Sequence, residues 1–295
     1  MVTLSLGLPN FGSWIGPDWR GLLDVARAAE DAGVDRVVVT DHVVMGRDTS
    51  AYTWGRFPTA PDGPWLEPLS CLTAIAAVTS TVRLATGILI APLRPAPLLA
   101  KTVATVDVLS NGRVDLGVGV GWQRAEYDAM GLDFTARGRL LDDTIGACRA
   151  LWSQLPASYS SASVTFDDVC CVPQPLQRPL PVWFAGTLND RNVRRITTFG
   201  DGWIPIMGAT LDDIRTGAAR LRAATARPID VQAPVRPVRS ADGTVDLAAT
   251  VAAVPELVDA GVTNIYVHVA AVADGPAQAA ETLAQLVREL QAALR

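Results

Sequence analysis

Basic runs, long apolar segments and metal-binding spacings of cysteine are all missing from this sequence of 295 residues. The net charge is −5 and no cluster of Lys or Arg offsets it locally, so the sequence lacks the basic patch that nucleic-acid-binding proteins use. Residues 1–7 lack the cationic start of a secretory signal, and no stretch approaches the roughly 18 consecutive apolar residues of a membrane span. We therefore expect a cytoplasmic protein that binds neither nucleic acid nor membranes.

Metal ligands are scarce, since the chain has only four cysteines and two histidines. Cys170 and Cys171 are directly adjacent, and this spacing fits no zinc motif. We expect reduced thiols in a reducing compartment and no metal site.

Short, apolar, β-branched segments alternate with amphipathic helical segments along the whole chain. With 49% hydrophobic and 19% charged residues, the composition is typical of a globular protein. Eight strands are predicted, at residues 4–9, 36–40, 82–90, 114–120, 181–185, 202–206, 229–234 and 264–269.

A helical segment follows each predicted strand, which indicates right-handed βαβ units and a parallel sheet. Eight such units close into a barrel, so the sequence predicts a single (β/α)8 TIM-barrel domain over residues 1–295. Residues 153–179, with a Ser-rich turn and several prolines, are predicted as a small excursion outside the barrel. In such barrels the active site lies at the carboxyl ends of the strands.

His42 and Asp41 stand at the predicted carboxyl end of strand two. Histidine is the side chain best suited to proton transfer near neutral pH. His42 is therefore a candidate catalytic residue, and the alternative is a histidine that only hydrogen-bonds a loop.

Glycines concentrate at the predicted ends of strands three, four and five. Glycine lets the backbone approach a flat or phosphorylated ligand closely, and Gly186-Thr187 precede a helix whose free amides suit a phosphate. Ordinary turn chemistry is the alternative. The glycine repeat at 117–121 is not a dinucleotide fingerprint, because Trp122 stands where the third glycine of that motif belongs.

Aromatic residues on the loops are candidates for a substrate pocket. The predicted loop 44–64 contains Trp54, and the loop after strand one contains Trp14, with Asn10 at that strand's end. Aromatic side chains over a pocket often bind apolar substrates, although packing within the loops is the alternative.

Two ionisable residues have a structural as well as a functional interpretation. His268 and Tyr266 point the same way from strand eight, and a core or rim histidine is the favoured interpretation. Glu126 either caps a helix or belongs to the site.

Several motifs occur in one order along nearly the whole chain. They are Ala29-Glu-Asp-Ala-Gly-Val-Asp35, Thr40-Asp-His42, Val82-Arg-Leu-Ala-Thr-Gly-Ile88, Leu99-Ala-Lys-Thr-Val-Ala-Thr-Val-Asp-Val-Leu-Ser-Asn-Gly-Arg113, Leu116-Gly-Val-Gly-Val-Gly-Trp122, Glu126-Tyr127, Arg137-Gly-Arg139 and Gly200-Asp-Gly-Trp203. In this order they resemble the luciferase-like monooxygenase superfamily, and within it the oxidoreductases that depend on the deazaflavin coenzyme F420.

The resemblance implies a luciferase-like barrel with a flavin-like ring in its mouth, a phosphate held by backbone amides, and a cis peptide bond at Gly87-Ile88. It also implies a homodimer. Trp122 stands where one dehydrogenase branch has a catalytic glutamate, so oxidation of a sugar phosphate is not expected. Arg94-Pro95 stand where many relatives have Arg-His-Pro. The expected cofactor-binding residues are Asp41, His42, Thr86, Gly87, Ile88, Gly119, Gly121, Trp122, Gly186 and Thr187.

The expected reaction is hydride transfer between coenzyme F420 and a small organic substrate, with His42 moving the proton and loop 44–64 as a lid. One alternative is an FMN-dependent monooxygenase, and another is a flavin-binding protein without catalysis. The deazaflavin carries an acidic oligoglutamate tail, which favours basic groups at the mouth. Candidates for these groups are Arg47, Arg56, Arg94 and Lys101.

Overall fold

Eight parallel strands form a closed barrel in the computed structural model, which describes residues 2–55 and 57–295. Their spatial order is three-two-one-eight-seven-six-five-four, and pairing between strands three and four closes the ring. The predicted (β/α)8 barrel is therefore confirmed. The barrel strands are Thr3–Gly7, Arg36–Val39, Arg83–Thr86 with its continuation Leu89–Ile90, Val114–Gly119, Val182–Ala185, Gly202–Ile204, Asp230–Pro234 and Asn264–His268.

Helices surround the barrel and bury an apolar face against it. Alternation along strand eight illustrates the reason: Ile265 and Val267 point outward into the layer between strands and helices and are fully buried. The helices are Gly21–Ala32, Pro68–Ala76, Ala96–Leu109, Arg124–Ala129, Arg137–Ser153, Asp190–Phe199, Leu211–Ala224, Leu247–Val251, Val254–Asp259, Val269–Val272 and Pro276–Ala293, with 3₁₀ turns at Ala91–Leu93 and Phe134–Ala136.

Several elements differ from the prediction. The third strand is interrupted after Thr86. The cis peptide bond that the resemblance implies at Gly87-Ile88 is confirmed at this interruption. The helical segment between strands seven and eight is two helices, because Pro255 has no N–H for a continuous helix and instead sits in the first turn of the second one. The helix Arg124–Ala129 was not predicted.

The excursion lies outside the barrel, as predicted, and contains an antiparallel hairpin of Ala157–Ser160 with Thr165–Val169. The carboxylate of Asp107 accepts the backbone N–H groups of Leu176 and Gln177, which fixes the end of the excursion to the barrel. Among the described residues, none of the helices combines the length and the apolarity needed to span a membrane.

Candidate active site

His42 and Glu126 form a buried pair at the carboxyl edge of the barrel. The Nδ1 of His42 lies 3.0 Å from the Oε2 of Glu126, and the Glu126 side chain has no exposed surface. The other carboxylate oxygen of Glu126 accepts the backbone N–H of Val43 at 3.0 Å. A carboxylate that accepts from Nδ1 fixes the tautomer of the ring, so Nε2 of His42 is left for a ligand. Glu126 thus belongs to the site.

Aromatic rings enclose His42 on several sides. Trp65 meets its ring edge-on at 4.6 Å between centroids, Phe57 at 5.7 Å and Trp122 at 5.8 Å. Tyr52 packs against both Phe57 and Trp122. Three of these rings come from the loop after strand two, which we call the strand-two loop (residues 40–67). The enclosure gives His42 a desolvated, apolar surrounding.

Arg94 closes the base of the strand-two loop. Its guanidinium binds both oxygens of Asp41, at 2.6 and 3.0 Å, and also Glu67 at 2.9 Å. The Oδ2 atom of Asp41 also accepts the backbone N–H of Ile90 at 2.8 Å. Asp41 and Glu67 stand at the two ends of the loop, so one arginine connects both. The Asp41 carboxylate is therefore saturated by protein partners.

Asn10 also joins the two ends of the strand-two loop. Its side chain has no exposed surface and makes hydrogen bonds to the backbone of Thr40 and Leu66 and to the hydroxyl of Thr40. All of its amide groups thus have partners within the protein. Trp14 likewise donates its indole N–H to the carbonyl of Ala273, while Trp54 is exposed beside Tyr52.

The strand-two loop also crosses the mouth. Gln123, which is buried, accepts the N–H of Gly46 at 2.7 Å and donates to the sulfur of Met45 at 3.0 Å. Tyr52 reaches the sulfur of Met207, at the end of strand six, at 3.5 Å. These contacts connect the loop to the residues that follow strands four and six. They are not predictable from local sequence pattern, because they join residues far apart in the chain.

Close backbone approaches mark the ends of strands three and four. The hydroxyl of Thr86 donates to the carbonyl of Gly117 at 2.6 Å. A Cβ on Gly119 would lie 2.9 Å from the terminal methyl of Ile88, so a larger residue there would displace the Ile88 side chain. Gly121 has φ 68°, a conformation that favours glycine.

Free backbone amides lie at the end of strand five. Gly186 has φ 115°, and Asn189 caps the helix that follows. Within the described part of the chain, the N–H groups of Thr187, Leu188 and Arg191 donate no hydrogen bond. This combination suits a phosphate.

Three arginines lie around the start of the helix Arg137–Ser153, which packs against the helix that follows strand five. The guanidinium of Arg137 lies 4.0 Å above the ring of Phe134, and that of Arg124 lies 4.8 Å from the same ring. Arg191 lies against Gly138, next to Arg137. Of the basic residues singled out in the sequence, Arg94 is used in the ion pair, Lys101 donates to the carbonyl of Val172, and Arg47 is exposed; Arg56 lies outside the described residues.

A cavity of about 200 Å³ adjoins the His42 ring on the side of the strand-two loop. It is lined by His42, Val43, Val44, Met45, Thr59, Ala60, Pro61, Asp62, Gly63 and Trp65.

A parallel (β/α)8 barrel with an oriented histidine at its carboxyl edge defines an enzyme of the barrel class. The chain belongs to the luciferase-like monooxygenase family, whose model matches residues 5–293, and it is therefore an oxidoreductase.

Known proteins similar to this chain use two kinds of cofactor. An uncharacterized protein of Mycobacterium tuberculosis is 36% identical over 185 residues, which cover 61% of this chain and 65% of that protein. The FMNH2-dependent dimethylsulfone monooxygenase of Pseudomonas putida is 32% identical over 163 residues, covering 52% of this chain and 44% of the monooxygenase. The solved structure of an F420-dependent secondary alcohol dehydrogenase superposes with a TM-score of 0.75 at 13% identity, covering 98% of this chain and 99% of the dehydrogenase.

Proposed function

We propose that the protein is a coenzyme F420-dependent oxidoreductase that transfers a hydride between the deazaflavin and a small organic substrate. The observation that carries the proposal is the His42–Glu126 pair, in which the buried carboxylate of Glu126 occupies Nδ1 and leaves Nε2 of His42 for a ligand. The cofactor, when bound, supplies the hydride chemistry, and the protein supplies binding, orientation and the proton.

The residues present fit a flat, phosphorylated cofactor. The unpartnered amides of Thr187, Leu188 and Arg191 would hold a phosphate. The glycines at 119 and 121, with the Gly87-Ile88 segment, would lie against the ring, where a Cβ at Gly119 would displace the Ile88 side chain. Thr86 and Trp122 complete the strand ends that we propose to hold the ring.

The charge beside the phosphate position favours the deazaflavin over FMN. Arg191 stands in the first turn of the helix whose amides would hold the phosphate. Arg124 and Arg137 lie around the start of the neighbouring helix Arg137–Ser153, although the chain as a whole is acidic. A ligand with an acidic tail beyond its phosphate matches this local positive charge.

His42 would move the proton that accompanies hydride transfer. Because Glu126 holds Nδ1, only Nε2 is available to a substrate oxygen. Glu126 acts through His42, as a positioning residue. The rings of Trp65, Phe57 and Trp122 would exclude water from this proton transfer.

An FMN-dependent monooxygenase is the second candidate. The observation that favours it is the similarity to the FMNH2-dependent enzyme of Pseudomonas putida. The same barrel mouth and the same amides would serve FMN, which also carries a phosphate.

Titration of the purified protein with coenzyme F420 and, separately, with FMN distinguishes the two candidates. Quenching of cofactor fluorescence gives the affinity in each case. The proposal expects tighter binding of F420, and the preference should weaken when Arg137 and Arg191 are replaced by Gln. Preference for FMN would instead support the monooxygenase.

We propose further that the protein is a cytoplasmic homodimer that acts on a small-molecule substrate. The four cysteines all lie within the described residues and form no disulfide, which is typical of proteins in a reducing compartment. Exposed apolar side chains at Leu98, Leu109, Val172 and Leu176 form a surface along the helix Ala96–Leu109 and the excursion, and such surfaces commonly mark subunit contacts.

A further inference from the structure

Strand eight carries two polar side chains into the barrel that the proposed mechanism does not use. Ile265 and Val267 point outward, so Asn264, Tyr266 and His268 point inward. Asn264, the deepest of the three, has hydrogen-bond partners in neighbouring strands. Tyr266 and His268 lie above it, and their polar atoms differ from those of Asn264 in hydrogen bonding.

The Nε2 of His268 is buried and has no hydrogen-bond partner among residues 2–55 and 57–295. Within the same residues, the hydroxyl of Tyr266 makes no hydrogen bond either. Buried polar groups in folded proteins are nearly always paired, so the unpartnered nitrogen of His268, with a free hydroxyl beside it, calls for a ligand as its explanation.

The two groups converge on one point above Gly7. An ideal Cβ at Gly7 would lie 2.2 Å from the Tyr266 hydroxyl oxygen and 2.8 Å from Cδ2 of His268, so these two atoms lie at most about 5 Å apart. Cδ2 is bonded to Nε2. The hydroxyl and the ring nitrogen are therefore close enough to contact a single polar group of a ligand.

Tyr266 and His268 lie near the edge of the barrel at which a ligand is expected. His268 ends strand eight, at the edge where barrel enzymes bind their ligands. A continuous row of rings leads from it to the active site: Phe11 lies 5.9 Å from His268, Trp65 lies 4.3 Å from Phe11, and His42 lies 4.6 Å from Trp65.

The electrostatics restrict the kind of group that fits. Burial lowers the pKa of His268 to about 4, so the ring is neutral near neutral pH. Burial also raises the pKa of Tyr266, which keeps its proton. Neither of these two side chains therefore offers a positive charge to a carboxylate or a phosphate, whereas a neutral oxygen can accept from Tyr266 and exchange a hydrogen bond with His268.

We propose that Tyr266 and His268 bind an uncharged carbonyl or hydroxyl group of the substrate, and this inference rests on the proposed function. The pair gives the site a specificity for neutral carbonyl compounds or alcohols over acids. Gly7 is required because any side chain there would occupy the position of the Tyr266 hydroxyl.

The test uses the fact that the chain has only two histidines. In protein labelled with ¹⁵N-histidine, the His42→Gln variant assigns the His268 signals by elimination. Cyclohexanone, 2-propanol and acetate are then added as probes, with and without the cofactor that binds in the titration. We expect a saturable shift of the His268 signals with the two uncharged probes and none with acetate.

Variants separate a ligand site from a structural role. Tyr266→Phe should weaken binding of the uncharged probes about tenfold, the size of one lost hydrogen bond, while its melting temperature stays that of the wild type. Gly7→Ala should abolish the response by displacing both side chains. Tyr159→Phe, in the excursion hairpin, is the matched control and should bind the probes normally.

The proposal is overturned if no uncharged probe shifts His268 up to about 0.1 M, the range in which so small a ligand binds. A lowered melting temperature of Tyr266→Phe with unchanged probe binding would also overturn it and assign the pair to the barrel interior. Because the probes are tested on the protein alone as well, failure of cofactor binding would count against the proposed function and not against this pair.

Discussion

At the scale of single residues, the contact between His42 and Glu126 decides which ring nitrogen faces a ligand. His42→Ala should leave cofactor affinity within about threefold and lower kcat by about 100-fold or more, the usual contribution of a general acid or base. Glu126→Gln should lower kcat by about 10- to 100-fold, because the ring loses its orienting carboxylate. Both are measured as turnover and as fluorescence titration of the cofactor.

Glu256→Gln is the matched control, since Glu256 is an exposed carboxylate far along the chain from the site. Turnover of His42→Ala equal to that of the wild type would remove His42 from the mechanism.

The sequence predicted some residues of the site and not others for a clear reason. His42 was found because it follows a strand directly, and strand ends are readable from local pattern. Glu126 stayed ambiguous, since its partner lies 84 positions away and only tertiary structure brings them together. The enclosing rings of Tyr52 and Phe57 carried no signal, because loop conformation is not periodic. The roles expected for the cofactor-binding residues remain predictions.

At the scale of elements, the last turn of the helix Gly21–Ala32 fastens the turn that leads into strand three. Burial by itself would raise the pKa of Glu30, but hydrogen bonds from the amides of residues 80–82 and the Thr81 hydroxyl outweigh it and lower the pKa from 4.5 to about 2. The folded-state pKa thus lies below the unfolded-state value, so the stabilisation is complete above about pH 4.5 and is lost as the pH falls toward 2.

Glu30→Gln should therefore reduce the free energy of unfolding at neutral pH by about 1–2 kcal/mol, a value discounted for partial exposure. Urea unfolding at a series of pH values should show the difference from wild type shrinking between about pH 4.5 and 2. A difference that does not change with pH would contradict the role of the ionised carboxylate.

Arg94→Met tests the base of the strand-two loop. The substitution leaves the buried Asp41 carboxylate without its cation, so we expect a loss of about 3–5 kcal/mol in the free energy of unfolding. Arg20→Ala is the comparison, because its ion pair with Asp18 is solvent-exposed and should contribute less than about 1 kcal/mol. Equal losses in the two variants would show that Arg94 has no special role.

Element boundaries were predictable where pattern and capping agree. The helices Ala96–Leu109 and Leu211–Ala224 begin at local start signals in the sequence, since proline stands in the first turn of one and a Thr-Asp capping box begins the other. The break in strand three was not predicted, because most of residues 82–90 are apolar or β-branched and such a composition does not locate an interruption in strand pairing.

At the scale of the whole molecule, the exposed leucines of the helix Ala96–Leu109 are the basis of a prediction about assembly. Leu98 and Leu109 are 61% and 63% exposed, which is unusual for leucine on a helix that also faces the core. Replacing both with Arg should convert a dimer to a monomer in sedimentation experiments. Val238→Arg, on a hairpin elsewhere on the surface, should leave the mass unchanged, and a monomeric wild-type protein would refute the prediction.

The double contact of Arg94 with both ends of the strand-two loop has a consequence for how such a barrel can diversify. Since the two ends are already held together by Asp41 and Glu67, lengthening or replacing the segment between them adds little closure entropy, which grows only slowly with loop length. The barrel would be unaffected by such exchanges, and the His42–Glu126 pair would be kept as long as residues 41–43 are retained. New substrate ranges can therefore arise by loop replacement alone, in natural descent or in the laboratory, provided that these residues and Glu67, the other partner of Arg94, are kept.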